Sequence, residues 1–169
     1  MKVAFLTSGG VAPCLSASIA YLIKEYSAID NSIKFYAYKH GYKGLLLGNK
    51  ISIPNNLSNK TDVIASFGGS AIGNSRVKLT NINDCIKNKY IKKNELPVEV
   101  AAKQLASDQI NILHTIGGDD TNTAASDLVK YLKTNNYDLT VVGLPKTIDN
   151  DVFPISQTLG ASTASEQGA

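Results

Sequence analysis

The chain has 169 residues, of which 43% are hydrophobic and 18% charged. That length predicts one domain whose core needs no disulfide or metal, and the composition excludes a disordered tail, a collagen or a coiled coil. Seventeen Lys and Arg against fourteen Asp and Glu leave a net charge of +3, too small to argue for nucleic acid as a partner.

Lys2 to Leu6 is a short apolar run that predicts a buried strand. A glycine-rich turn, Thr7 to Pro13, follows it. Leu15 to Tyr26 places Leu15, Ile19, Leu22, Ile23 and Tyr26 at helical spacing. Ile33 to Tyr38 is β-branched and aromatic and predicts a second strand. Gly41 to Gly44 reads as a loop, and Asn49 to Ile53 as a short edge strand ended by Pro54. Val63 to Phe67 is apolar as far as Gly68-Gly69, and Gly69 to Arg76 is a loop of small residues. The lysine-rich stretch Asp84 to Asn94 is open between helix and loop, and Lys87, Lys89, Lys92 and Lys93 read as a solvated face. Pro97 to Gln109 predicts a helix with Pro in its first turn. Ile110 to Ile116 predicts a strand, Gly117 to Asp120 a tight turn and Thr121 to Lys133 a helix. Thr140 to Leu144 predicts the last strand, and Pro145 to Asp151 a polar loop.

Strand, glycine turn, helix and strand in repetition predict an α/β fold with parallel pairing through right-handed crossovers. Ligands in such folds sit at the carboxyl ends of the strands. The loops Thr7 to Pro13, Gly117 to Asp120 and Pro145 to Asp151 all fall there.

Cys14 and Cys85 have neither metal spacing nor a disulfide framework, which predicts reduced thiols and a cytoplasmic setting. The first apolar run is too short for a signal peptide, and nothing approaches the ~18 apolar residues of a membrane span. No membrane partner is expected.

Each loop carries chemistry beside a plainer reading. Gly9-Gly10 lets backbone N–H groups approach an anion at a helix start, or is simply a tight turn. Asp119 and Asp120 set two carboxylates at the start of a helix. One of them, or Thr121, could cap it; their mutual repulsion argues instead for a hard cation carrying phosphate oxygens. Asp149 and Asp151, if extended, share one side, where one takes a proton from a hydroxyl nucleophile. Lys146 offers phosphate a point charge. The same segment also suits an Asx-rich turn. Arg76 is the sole arginine beside sixteen lysines, which suits either phosphate or a surface ion pair. His114 reads as a core histidine, and Cys14 as structural.

Together these loops resemble the phosphofructokinase family, and its pyrophosphate-dependent branch more closely. The resemblance runs in order through Thr7-Ser8-Gly9-Gly10, Tyr42-Lys43-Gly44-Leu45, Gly73-Asn74-Ser75-Arg76, Gly117-Gly118-Asp119-Asp120-Thr121 and Pro145-Lys146-Thr147-Ile148-Asp149-Asn150-Asp151. It implies a three-layer, Rossmann-like, mostly parallel sheet, with residues 1–169 forming the N-terminal lobe of that fold. It also implies transfer of a phosphoryl group to the 1-hydroxyl of fructose 6-phosphate, a glycolytic reaction. Asp149 would be the general base, Asp151 would position the hydroxyl, and Thr147 would contact the sugar. Asp119 would hold Mg2+. Gly10, Arg76, Gly118, Asp120 and Lys146 would meet the phosphoryl donor.

In family members that use ATP, glycine typically stands at the positions of Asp120 and Lys146. A carboxylate at position 120 would repel the α-phosphate of ATP, and lysine at 146 suits a diphosphate. Pyrophosphate is therefore the expected donor, with ATP as the alternative and an inactive phosphate-binding fragment as the third reading. The first loop reads Gly9-Gly10-Val11-Ala12-Pro13-Cys14, where the family often has Gly-Gly-Asp-Ala-Pro-Gly. Members are about twice as long, with a second lobe completing the sugar site, and form homo-oligomers. A truncated chain that stops inside a helix at Ala169 is the expectation.

Overall fold

A computed structural model describes residues 1–168, apart from the side chains of Asn55 and Gln167. Alternating apolar residues in the first strand decide the layering. In β1 (Lys2–Thr7), Val3 and Phe5 join one apolar cluster while Ala4 and Leu6 join another. A strand buried on both faces needs helices on both faces, and the result is three layers.

One face is covered by α1 (Cys14–Ile29), whose Leu15, Ile19 and Ile23 pack with Val3, Phe5 and Phe35. The other is covered by α2 (Tyr42–Leu46), α5 (Pro97–Ser107) and α6 (Asp119–Thr134), which contribute Tyr42, Leu45, Leu105 and Leu128. The remaining helices are α3 (Thr61–Ala65), which follows the 3-10 segment Asn55–Lys60, then α4 (Ile82–Lys87) and α7 (Ala161–Gly168). Ala169, in the expected terminal helix, lies outside the described residues.

The five-stranded sheet adds β2 (Lys34–Tyr38), β3 (Lys50–Ile53), β4 (Ile112–Gly117) and β5 (Thr140–Pro145), in the order β3-β2-β1-β4-β5. All neighbours are parallel except β2 and β3, so the edge strand foreseen at Asn49 to Ile53 pairs antiparallel. The chain leaves β1 toward β2 and later returns to pair β4 with β1 on its other side. The order therefore switches direction between β1 and β4, where open α/β sheets form their ligand crevice.

Some elements differ from their reading in the sequence. Residues 42–46 are helical, not a loop. Gly41 turns the chain with φ +65°, and Tyr42, Leu45 and Leu46 are buried. The apolar run from Val63 begins inside α3, with Val63 and Phe67 exposed. Lys87, Lys89, Lys92 and Lys93 are exposed, as expected of a solvated face. Among the described residues, no helix is long and apolar enough to cross a membrane.

Candidate functional site

The carboxyl ends of β1 and β4 bring two glycine loops face to face. Ser8 N–H donates to Ile116 O at 3.0 Å, extending the β1–β4 pairing by one residue. Gly117 sits where a side chain would strike the Ser8 carbonyl and Thr121. This close approach is why glycine is needed there. Gly9, at φ +90°, turns the first loop away from the sheet.

The loop Gly73–Arg76 joins them. Ser8 and Ser75 form a parallel bridge, Gly9 N–H donates to Ser75 O at 2.9 Å, and Asn74 Nδ2 donates to Gly9 O at 2.6 Å. Between these loops lies a cavity of ≈ 180 Å³, lined by Gly9, Gly10, Arg76, Lys78, Asp120 and Thr121 among others. Tyr42 closes it from α2, donating its hydroxyl to Thr121 O at 2.9 Å. Of the residues expected to meet a phosphoryl donor, Gly10, Arg76 and Asp120 line this cavity. Gly118 stands at the N-cap of α6 beside it.

Helix α6 begins at Asp119, earlier than the sequence pattern suggests. Gly118 occupies the cap position, and no side chain caps the helix. The capping role considered for Asp119, Asp120 or Thr121 is therefore not what these residues do. Asn122 folds back instead, donating to Gly117 O and Gly118 O, each at 2.9 Å. Asp120 pairs with Lys78, Nζ to Oδ2 at 2.7 Å. That partner was not foreseen, and it weakens the inference of a cation from repulsion between Asp119 and Asp120. Its only signal in the sequence is a second cation two residues after Arg76.

Lys146 enters from the end of β5. Its backbone N–H donates to Gly117 O at 2.8 Å, and its ammonium donates to Gly10 O at 2.7 Å. The residue is only 5% exposed. Burial pushes its pKa down; nearby Cys14 and Asp149 oppose that, and Arg76 adds to it. The Cys14 thiol is pushed up by burial, with Lys146 pulling the other way, so this helix-start cysteine is no activated thiolate.

The segment beyond Lys146 is not extended. Asn150 has φ 53°, in the left-handed region, so the shared side proposed for Asp149 and Asp151 from strand geometry does not arise. Side-chain bonds across the loop organise it instead of the Asx turn the sequence also suited. Asn150 Oδ1 accepts from Thr158 N–H at 2.8 Å, and Asn150 Nδ2 donates to Ser156 O at 3.1 Å. The Thr158 hydroxyl donates to Thr147 O at 2.8 Å. Buried Thr147 accepts the Asp149 N–H on its own hydroxyl at 3.1 Å. Asp149 and Asp151 are exposed. Thr158 and Asn150, which shape this loop, were also missed in the sequence. Their pairing needs the return of the chain at Leu159 beside Lys146.

Asp119 is exposed at the first position of α6. No cluster of three or more His, Cys, Asp or Glu able to hold a metal occurs among the described residues. This donor set suits Mg2+, which typically keeps several waters and binds one or two carboxylates plus substrate phosphates.

The fold is thus an α/β sheet whose glycine loops, with buried Lys146 behind them, meet at the topological switch point. The Phosphofructokinase family profile matches residues 2–169, and the chain belongs to that family. It is 60% identical over 99% of its length to a pyrophosphate--fructose 6-phosphate 1-phosphotransferase of Methylomonas methanica, covering 41% of that protein. The corresponding protein of Mastigamoeba balamuthi is 52% identical over 99% of this chain, again with 41% of the relative covered. An ATP-dependent 6-phosphofructokinase of Borreliella burgdorferi is 30% identical over 99% of the chain and 34% of its own length. Among solved structures, Pichia pastoris phosphofructokinase in the T-state superposes with a TM-score of 0.78 at 26% identity, over 98% of this chain and 17% of that one. The chain thus spans about two fifths of the length of the pyrophosphate-named relatives it matches.

Proposed function

We propose that the chain is the phosphoryl-donor and catalytic-base lobe of a pyrophosphate-dependent 6-phosphofructokinase. The observation that carries this reading is buried Lys146 bonded to Gly10, behind a cavity that also holds Arg76 and Asp120. Two features expected to favour a diphosphate over a nucleotide, Lys146 and Asp120, thus stand on either side of one glycine loop. The names of the relatives at 52–60% identity support the same donor.

In the proposed reaction, Asp149 takes the proton of the sugar 1-hydroxyl. That oxygen forms a bond to one phosphorus of pyrophosphate, and the bridging P–O bond breaks to release orthophosphate. Thr147 fixes the backbone of Asp149 through its 3.1 Å hydrogen bond and retains its hydroxyl proton for the sugar. Asp151 helps to position the hydroxyl. Arg76 and the loop N–H groups orient the donor, and Lys146 adds positive charge from behind Gly10; such neutralisation and positioning is most of the catalysis in phosphoryl transfer. Bound Mg2+, with Asp119 as its protein ligand, would supply further neutralisation of phosphate charge. Homo-oligomeric assembly and a cytoplasmic setting belong to the same proposal.

The test is turnover of fructose 6-phosphate by the protein carrying this lobe, with pyrophosphate and with ATP as alternative donors. Pyrophosphate-supported turnover well above ATP-supported turnover is expected. A preference for ATP would move the chain to the other branch. No turnover with either, despite pyrophosphate binding, would leave a phosphate-binding module.

A further inference from the structure

We infer that Asn74 is a positioning residue for the phosphoryl donor: by holding the Gly9 carbonyl, it aims the Gly10 N–H at the donor cavity. This rests on the donor reading above and adds a residue to it. In a trans peptide the C=O and the next N–H point in opposite directions. Whatever captures the Gly9 oxygen therefore sets the direction of the Gly10 N–H, and whatever captures the Gly10 oxygen sets that of the Val11 N–H.

Both oxygens are captured by side chains. Asn74 Nδ2 lies 2.6 Å from Gly9 O, and Lys146 Nζ lies 2.7 Å from Gly10 O. Gly9 and Gly10 line the cavity, whereas Asn74 and Lys146 do not. The carbonyls are thus drawn toward groups outside the cavity wall. The N–H groups of Gly10 and Val11 have no acceptor among the described residues. Successive unpaired N–H groups of this kind form an anion-binding concavity.

Gly9 is the residue most able to rotate out of this arrangement, since glycine at φ +90° pays little to change conformation. A flipped peptide would offer phosphate an oxygen in place of an N–H. The Asn74 amide prevents that in one orientation only. Its Oδ1 is buried without a partner, and turning the amide over would set that oxygen against Gly9 O.

Asn74→Asp isolates this role, because it keeps the shape and removes the donor. The measurement is calorimetric titration of pyrophosphate with Mg2+ into this chain, as wild type, Asn74→Asp and Asn74→Ala, alongside thermal melts. Asn74→Asp is expected to weaken pyrophosphate binding about tenfold or more, and Asn74→Ala to weaken it less, with midpoints within about 4 °C of wild type. Lowering the pH from about 8 to about 5 should narrow the gap between Asn74→Asp and wild type, because a carboxylate held against the Gly9 carbonyl protonates above its usual range and can then donate to Gly9 O. Wild-type affinity in Asn74→Asp, or a loss without recovery in acid, overturns the inference while the donor reading stands. Should Asn74→Asp fail to fold, unchanged affinity in Asn74→Ala overturns it equally. A wild-type chain that binds no pyrophosphate overturns the donor reading, and this inference with it.

Discussion

On the side of the crevice proposed to take the donor, three loops are bonded to one another and a lysine is buried among them. Beyond Lys146, Asp149 and Asp151 stand in solvent on a loop held by Thr147, Asn150 and Thr158. Under the proposed function, the first region would hold fixed dipoles ready for an anion. The second fixes only the backbone beneath its acids and leaves the carboxylates free to meet a hydroxyl. In the proposed reaction, rigidity would fall where charge is neutralised and exposure where a proton is exchanged.

The sharpest way to break this contrast is Asp149→Ala. It is expected to lower kcat in the proposed reaction by about 100- to 10,000-fold, while the melting temperature hardly moves, because the side chain is exposed. A large fall in stability would show that the base loop is as structural as the donor loops.

The scaffold under the donor side should respond to acid. His114 on β4 stacks on Phe5 with ring centroids 5.6 Å apart and shares a 2.9 Å hydrogen bond with the Tyr26 hydroxyl. Burial pushes its pKa down to about 4 from 6.5. The unfolded chain therefore takes up a proton at this site before the folded chain does. The stability that neutral His114 preserves is complete above pH 6.5 and is lost as pH falls toward 4. The loss is about 3 kcal/mol at most. Denaturant melts across that range should show it, with a shallower slope in His114→Gln.

Gly117→Ala tests how tightly the donor loops are packed. The new methyl would meet the Ser8 carbonyl and Thr121, and a destabilisation of about 1–3 kcal/mol is expected in thermal melts. Asp120→Gly should disturb the fold less than Gly117→Ala does. It removes an exposed ion pair with Lys78 and should cost less than about 1 kcal/mol, because Asp is itself a poor helix former. Its value lies in donor choice, since the ratio of ATP- to pyrophosphate-supported turnover should rise. An unchanged ratio would remove the account of Asp120 as the group that repels the α-phosphate of ATP.

The sheet was legible because β1, β4 and α1 carry their own periodicity, and a period survives in one dimension. So did the convergence of loops, which follows from parallel topology. Helix α2 was not legible, because Gly41 and Gly44 mask the buried pattern of Tyr42, Leu45 and Leu46. Lys78, Asn74 and Thr158 were not legible for another reason. Each acts through a partner distant in the chain, and nothing in the local pattern of a polar loop names that partner. The left-handed backbone of Asn150 shows the same limit. The residue type permits it, but only the return of the chain at Thr158 requires it.

The central position of β1 also sets a schedule for folding. One edge pairs with β2 almost as soon as that strand exists, while the other must wait for β4, about 110 residues further along. During synthesis the first three strands can assemble early, leaving the inner edge of β1 bare until Ile112 to Ile116 emerge. The crevice is therefore among the last parts of the sheet to form, since closing so long a loop costs chain entropy that only the completed β1–β4 ladder offsets.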